Sequence, residues 1–118
     1  MRQPPSIDTY GGGGFRVSGL WRPGSLLLLD DAPHNWRPRA MDDLALEDFA
    51  MVIEAGRAVS EFVLLGTGAV QSQPPRDVRE ALRAAALGLE FMSTAGAART
   101  YSVLISEGRR FAVALLAD

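Results

Sequence analysis

Apolar residues in this chain fall into short runs. The strongest is Phe62-Val63-Leu64-Leu65, followed at once by Gly66-Thr67-Gly68. Apolar residues with no polar alternation describe a strand covered on both faces, and this run reads as the central strand. Residues 25–29, with four consecutive leucines, read the same way. Residues 7–10 and 15–18 are shorter strand candidates, and the second alternates apolar with polar positions as a half-buried strand does. The glycine run from Gly11 to Gly14 between them predicts a hairpin-like loop. Residues 20–24 carry a Pro-Gly turn signal. Residues 30–40, broken by Pro33 and Pro38, read as loop.

Helical spacing enters later. Leu46, Phe49, Ala50 and Ile53 share one face of a helix over 44–55, with Gly56 as its stop. Pro74-Pro75 opens a second helix, whose inner stripe is Val78, Ala81, Leu82, Ala85 and Ala86 and whose end is Gly88. Residues 89–92 predict a short buried strand. Ser93 or Thr94 caps a third helix over 95–107, facing inward through Ala97, Tyr101, Leu104 and Ile105 and stopped by Gly108. Residues 111–116 form the last strand. Strand, helix, strand, helix, strand from Phe62 onward implies two right-handed crossovers and parallel strands in one sheet. The expectation is a single α/β domain over 7–118 behind a flexible tail over 1–6, where two prolines and no periodicity leave nothing to bury.

Composition narrows the function classes. The 118 residues are 47% hydrophobic and 22% charged, with a formal net charge of -2. That balance excludes a dedicated nucleic-acid binder and an anionic-membrane surface binder. All 12 basic residues are Arg, dispersed along the chain, and no role follows from them. With no Cys and one His there is no disulfide framework, thiolate nucleophile, or Cys- or His-rich metal site. The absence of an apolar leader or a membrane-length run points to the cytoplasm. No catalytic residue, cofactor or metal is assigned.

The candidate chemistry sits in few places. Gly11 to Gly14 is no dinucleotide or phosphate loop, because a strand rather than a helix follows it. Gly66-Thr67-Gly68 ends a buried strand, where ligand sites of α/β folds gather; it reads either as a tight turn or as a backbone floor under a ligand. Thr94 sits at a helix N-terminus, which attracts anions, and Arg99 lies early in the same helix, against its dipole. That pair reads either as an anion site or as a helix start with Arg99 bridged to a carboxylate such as Glu90. Ala95-Gly96-Ala97-Ala98 permits close packing. His34 stands in a loop without a matched nucleophile, and Asp30-Asp31 and Asp42-Asp43 read as solvated or capping.

Several short motifs then fall in order: Ile7-Asp8-x-Tyr10-Gly11, Phe15-Arg16-Val17-x-Gly19, Gly24-Ser25-x-Leu27, Leu64-Leu65-Gly66-Thr67-Gly68, Met92-x-Thr94, Ala97-Ala98-Arg99-Thr100-Tyr101 and Leu104-x-Ser106-Glu107-Gly108-Arg109-Arg110. Together they resemble the domain of unknown function 498 family, over about residues 7–116. The resemblance implies a three-layer α/β fold with a central mixed sheet, mostly parallel with one antiparallel strand, and N-terminal strands around it. It implies no enzymatic activity. Mitochondrial relatives in that family, complex I assembly factor 3 among them, act through protein contacts. Ser102 departs from the family pattern, which often has Asn there. The favoured reading is a non-catalytic interaction or assembly-factor-like protein with another protein as partner. The alternative is a small-molecule or anion-binding protein, an enzyme among the options, with a site at Gly66, Thr67, Gly68, Thr94 and Arg99.

Overall fold

The leucine-rich and valine-rich runs become the inner strands of one sheet. The computed structural model describes residues 2–118. Strands β1 (Ile7–Gly11), β2 (Gly14–Val17) and β3 (Leu20–Pro23) form a three-stranded antiparallel sheet. Strands β4 (Ser25–Leu29), β5 (Ala32–Trp36), β6 (Phe62–Gly66), β7 (Gly88–Met92) and β8 (Ala112–Leu115) form a five-stranded mixed sheet in the order β5-β4-β8-β6-β7. β6 pairs in parallel with both β7 and β8, and β4 runs antiparallel to β8 and β5. Helices α1 (Ala50–Ala55), α2 (Arg76–Ala84) and α3 (Thr94–Ser106) pack on this sheet.

Strand alternation sends neighbouring side chains to opposite faces, and both faces are covered. Leu27, Val63, Leu65, Ala112 and Ala114 pack with Phe49, Val52, Val78 and Leu82 from α1, α2 and the segment before α1. Leu26, Leu28, Leu64, Val113 and Leu115 pack with Phe15 and Val17 of the small sheet and Ala97 and Tyr101 of α3. Burying each such Leu or Val contributes about 1.5–3 kcal/mol, so the uninterrupted apolar runs are what a doubly covered sheet requires.

Several elements differ from the sequence expectation. The middle strand is β8; β6 lies between β8 and β7. Residues 20–23 are a strand, and the Pro-Gly signal marks only its end, at Gly24 with φ 83°. The stretch expected as loop over 30–40 holds β5. Asp30 and Asp31 adopt left-handed φ values of 52° and 64° and turn the chain as a two-residue hairpin loop. Pro33 is tolerated because β5 lies at the sheet's edge. His34 is therefore a half-buried residue of that strand, opposite Leu27, and not an exposed loop residue.

The helix expected over 44–55 is α-helical only from Ala50. Tight 3-10 turns occupy Met41–Asp43 and Leu46–Phe49. Arg37 holds them from outside: its guanidinium donates to Asp48 at 2.7 and 2.9 Å and to Asp43 at 2.9 Å. Asp48 also accepts the Ala45 N–H at 2.9 Å, and these donors, Arg37 first, hold its carboxyl below the usual range. The tighter winding rotates the buried face to Leu44, Phe49 and Val52 and leaves Ala50 exposed.

Helix α2 ends at Ala84 rather than running to Gly88. Ala86 takes the left-handed conformation, φ 60°, and the Leu87 N–H closes on the Leu82 carbonyl at 2.9 Å. That is a Schellman-type end with alanine where glycine is usual. Gly88 instead opens β7, which is an edge strand only partly covered. At the N-terminal end, Met1 lies outside the described residues. Residues 2–6 form no helix or strand. The Arg2 guanidinium bonds both carboxylate oxygens of Asp31, at 3.0 and 3.1 Å, and the Tyr101 hydroxyl donates to the Pro5 carbonyl.

Two measurements follow from these features. Ala86→Gly should raise unfolding stability by about 1 kcal/mol, since a β-carbon is disfavoured at this φ; urea titration reads the gain. Burial pushes the Tyr101 phenol from 10.0 up to about 12. A folded-state pKa above the unfolded one gives stability that is complete below pH 10.0 and lost as pH rises toward about 12. The alkaline fall in melting temperature over that window should be shallower in Tyr101→Phe than in the parent.

Candidate functional site

The loop after β6 is held by hydroxyl groups and by the absence of a side chain. A β-carbon on Gly66 would lie 2.8 Å from Leu115 Cδ2 and 3.0 Å from both Cα and Oγ1 of Thr94. Glycine there lets the end of β6, the start of α3 and β8 meet. Gly68 has φ 96°, a conformation that favours glycine. The Thr67 hydroxyl lies 2.7 Å from the Val70 carbonyl and 3.1 Å from that of Met92, and accepts the Ser72 N–H at 3.1 Å. Thr94 is 0% exposed. Its hydroxyl donates to the Leu116 carbonyl at 2.7 Å and accepts the Gly68 N–H at 2.9 Å, while its own N–H bonds the Gly68 carbonyl at 2.8 Å.

Gly66, Thr67, Gly68 and Thr94 are thus brought together, but as a clasp whose hydrogen-bonding groups pair with one another and with Val70, Ser72, Met92 and Leu116. Ser93 provides the N-cap of α3, accepting the Gly96 N–H at 3.2 Å. Arg99 does not join the group. It is exposed and donates to the Tyr10 hydroxyl of β1 at 3.2 Å, bridged neither to Glu90 nor to the helix start. Ser102 is exposed and bonds back to the Ala98 carbonyl at 3.4 Å.

A second feature lies at the open edge of β7, and local sequence patterns did not mark it. The Gly88 N–H bonds the Glu61 carbonyl and the Met92 carbonyl accepts the Thr67 N–H, so both residues turn their backbone toward β6. By strand alternation Glu90 does the same, and Leu89 and Phe91 turn their N–H and C=O groups outward. On the α3 side of this edge is a cleft of about 360 Å³, lined by Phe62, Leu64, Met92 and Leu104 with Glu90, Thr100 and Arg109. Phe62 stacks on Phe111 with centroids 4.9 Å apart, and the Arg109 guanidinium lies 5.2 Å from the Phe62 ring centre. On the α2 side a second hollow is bounded by Arg79, Arg83, Leu87 and Leu89. The arginines look dispersed in sequence, yet Arg79, Arg83 and Arg109 converge on one strand. Their spacing of four on α2 was readable; the strand they flank depends on sheet order.

Replacing Thr94 by valine would strand the Gly68 N–H and the Leu116 carbonyl. Thr94→Val should lower stability by about 2–6 kcal/mol, at about 1–3 kcal/mol for each of the two unpaired groups, and Thr94→Ser should keep most of it. Denaturant unfolding of the two variants compares them.

The comparisons extend over nearly all of the molecule. An uncharacterized protein of Rhodobacter capsulatus is 42% identical over 110 residues, covering 93% of this chain and 82% of that one. The rat NADH dehydrogenase [ubiquinone] 1 alpha subcomplex assembly factor 3 is 28% identical over 110 residues, covering 93% of this chain. This chain spans 59% of that relative's length. A crystal structure of a Bartonella henselae protein, described as an outer membrane protein, superposes with a TM-score of 0.85 at 32% identity, over 97% of this chain and 95% of that one. No helix among the described residues is long and apolar enough to cross a membrane. A family model, protein of unknown function (DUF498/DUF598), matches residues 7–116, and the chain belongs to that family.

Proposed function

We propose that this chain is a non-catalytic interaction protein, assembly-factor-like in role, that engages another polypeptide. The observation that carries the reading is the unpaired edge of β7 beside an apolar cleft. Free backbone donors and acceptors next to an apolar hollow suit a peptide chain, which supplies both kinds of group. The kinship with proteins named as NADH dehydrogenase assembly factors supports the same reading. The scaffold behind that edge is a three-layer α/β domain whose mixed sheet has β4 as its one reversed strand, and the strand pairings support that description. The clasp at Gly66, Thr67, Gly68 and Thr94 serves the fold by fixing α3 on the sheet.

Deleting the gene in its source organism should reduce fully assembled NADH dehydrogenase on native gels and increase its subassemblies, with re-expression restoring the pattern. Unchanged assembly in the deletion strain would overturn the assembly role.

A further inference from the structure

We propose that the β7 edge binds an extended polypeptide segment in which apolar and acidic residues alternate. The inference rests on the interaction reading above and names the chemistry of the partner segment. Three observations lead to it. Leu89 and Phe91 point their backbone groups outward, so an added strand finds donors and acceptors at the spacing of a sheet ladder. The side chains of an added strand point alternately to the two sheet faces, and those faces differ here. The α3 side offers the apolar cleft of about 360 Å³, whose wall carries Glu90 and also Arg109, the latter already 3.9 Å from the Glu61 carboxylate, so this side brings no net positive charge to an incoming carboxylate. The α2 side offers Arg79 and Arg83.

Charge settles the second half of the alternation. Among the described residues, neither Arg79 nor Arg83 lies within 4.0 Å of a carboxylate, whereas Arg76 is paired with Glu80 at 2.9 Å on the same helix. The Arg79 side chain donates only to the Pro74 carbonyl, at 3.2 Å. Carboxylates from a bound segment would meet two cations free to pair with them. The same arginines oppose a second copy of this chain at the edge, because β7 paired with β7 would bring like charges together.

Two synthetic nonapeptides test this, one alternating valine with glutamate and the other valine with lysine, each titrated into the ¹⁵N-labelled protein. The glutamate peptide should shift the Leu89 and Phe91 amide signals and slow their hydrogen exchange; the lysine peptide should not. The pair Arg79→Glu and Arg83→Glu, both on the helix surface, should weaken binding about tenfold or more. Leu89→Pro should abolish it while leaving the ladder to β6 intact, because the Leu89 N–H faces outward. Equal binding of both peptides, shifts located away from β7, or no binding at millimolar peptide would overturn the inference. So would a dimer of the parent in light scattering that Leu89→Pro dissolves, since β7 would then hold a second copy. Peptide binding is read on the purified chain and the assembly defect in cells, so either reading can fail without the other.

Discussion

The architecture depends on one buried hydroxyl. Thr94 sits where the ends of β6 and β8 meet the start of α3, fully removed from solvent, and its oxygen serves the Gly68 N–H and the Leu116 carbonyl at once. Buried backbone groups need partners, and no regular ladder reaches these two. The side chain that supplies the partner also fixes where α3 begins. Gly66 completes the arrangement by leaving room for Thr94. With its start pinned there, α3 packs chiefly across β6 and more lightly on β8, β1 and β7, and Thr100 and Leu104 face the cleft beside β7. The clasp and the cleft meet at Met92, whose carbonyl takes the Thr67 N–H while its side chain lines the cleft.

Much of this was legible in the sequence because much of it is local. The uninterrupted runs at Leu26 to Leu29 and Val63 to Leu65 are buried on both faces of the sheet. Gly56 and Gly108 end their helices with positive φ, and Ser93 caps α3. What escaped was set by partners distant in sequence. The stripe from Leu46 to Ile53 has α-helical spacing, but Leu46–Phe49 winds as a 3-10 turn, tied from outside by Arg37 through Asp48. Asp30 and Asp31 turn a hairpin without glycine. Arg99 finds Tyr10, 89 positions earlier, a partner that no local pattern at the start of α3 could indicate.

The two edges of the large sheet are finished differently. At one, β5 carries Pro33, and Asn35 is bonded to Arg22 of the small sheet at 3.2 Å. Proline and a covering neighbour both discourage an incoming strand. At the other, β7 has no proline and no strand on its outer side, and Arg79 and Arg83 flank it. Charge discriminates between strands where proline excludes them all. A chain with a formal net charge of -2 thus gathers two arginines on the α2 side of this edge, a contrast that total composition conceals.

The position of β8 has a consequence for the growing polypeptide. β4 and β5 form one hairpin, β6 and β7 form one crossover unit, and β8 joins them as the middle strand. Among the eight described strands it comes last in the sequence. Until it arrives, β4 and β6 each present a bare inner edge, and the apolar residues bound for both cores lack their backing. The hairpin and the crossover unit are joined in one sheet only through this short segment between them. Long-range pairing of this kind slows folding and prolongs exposure of unpaired strands. The inner edges of β4 and β6 are therefore paired only once Ala112 to Leu115 takes its place between them.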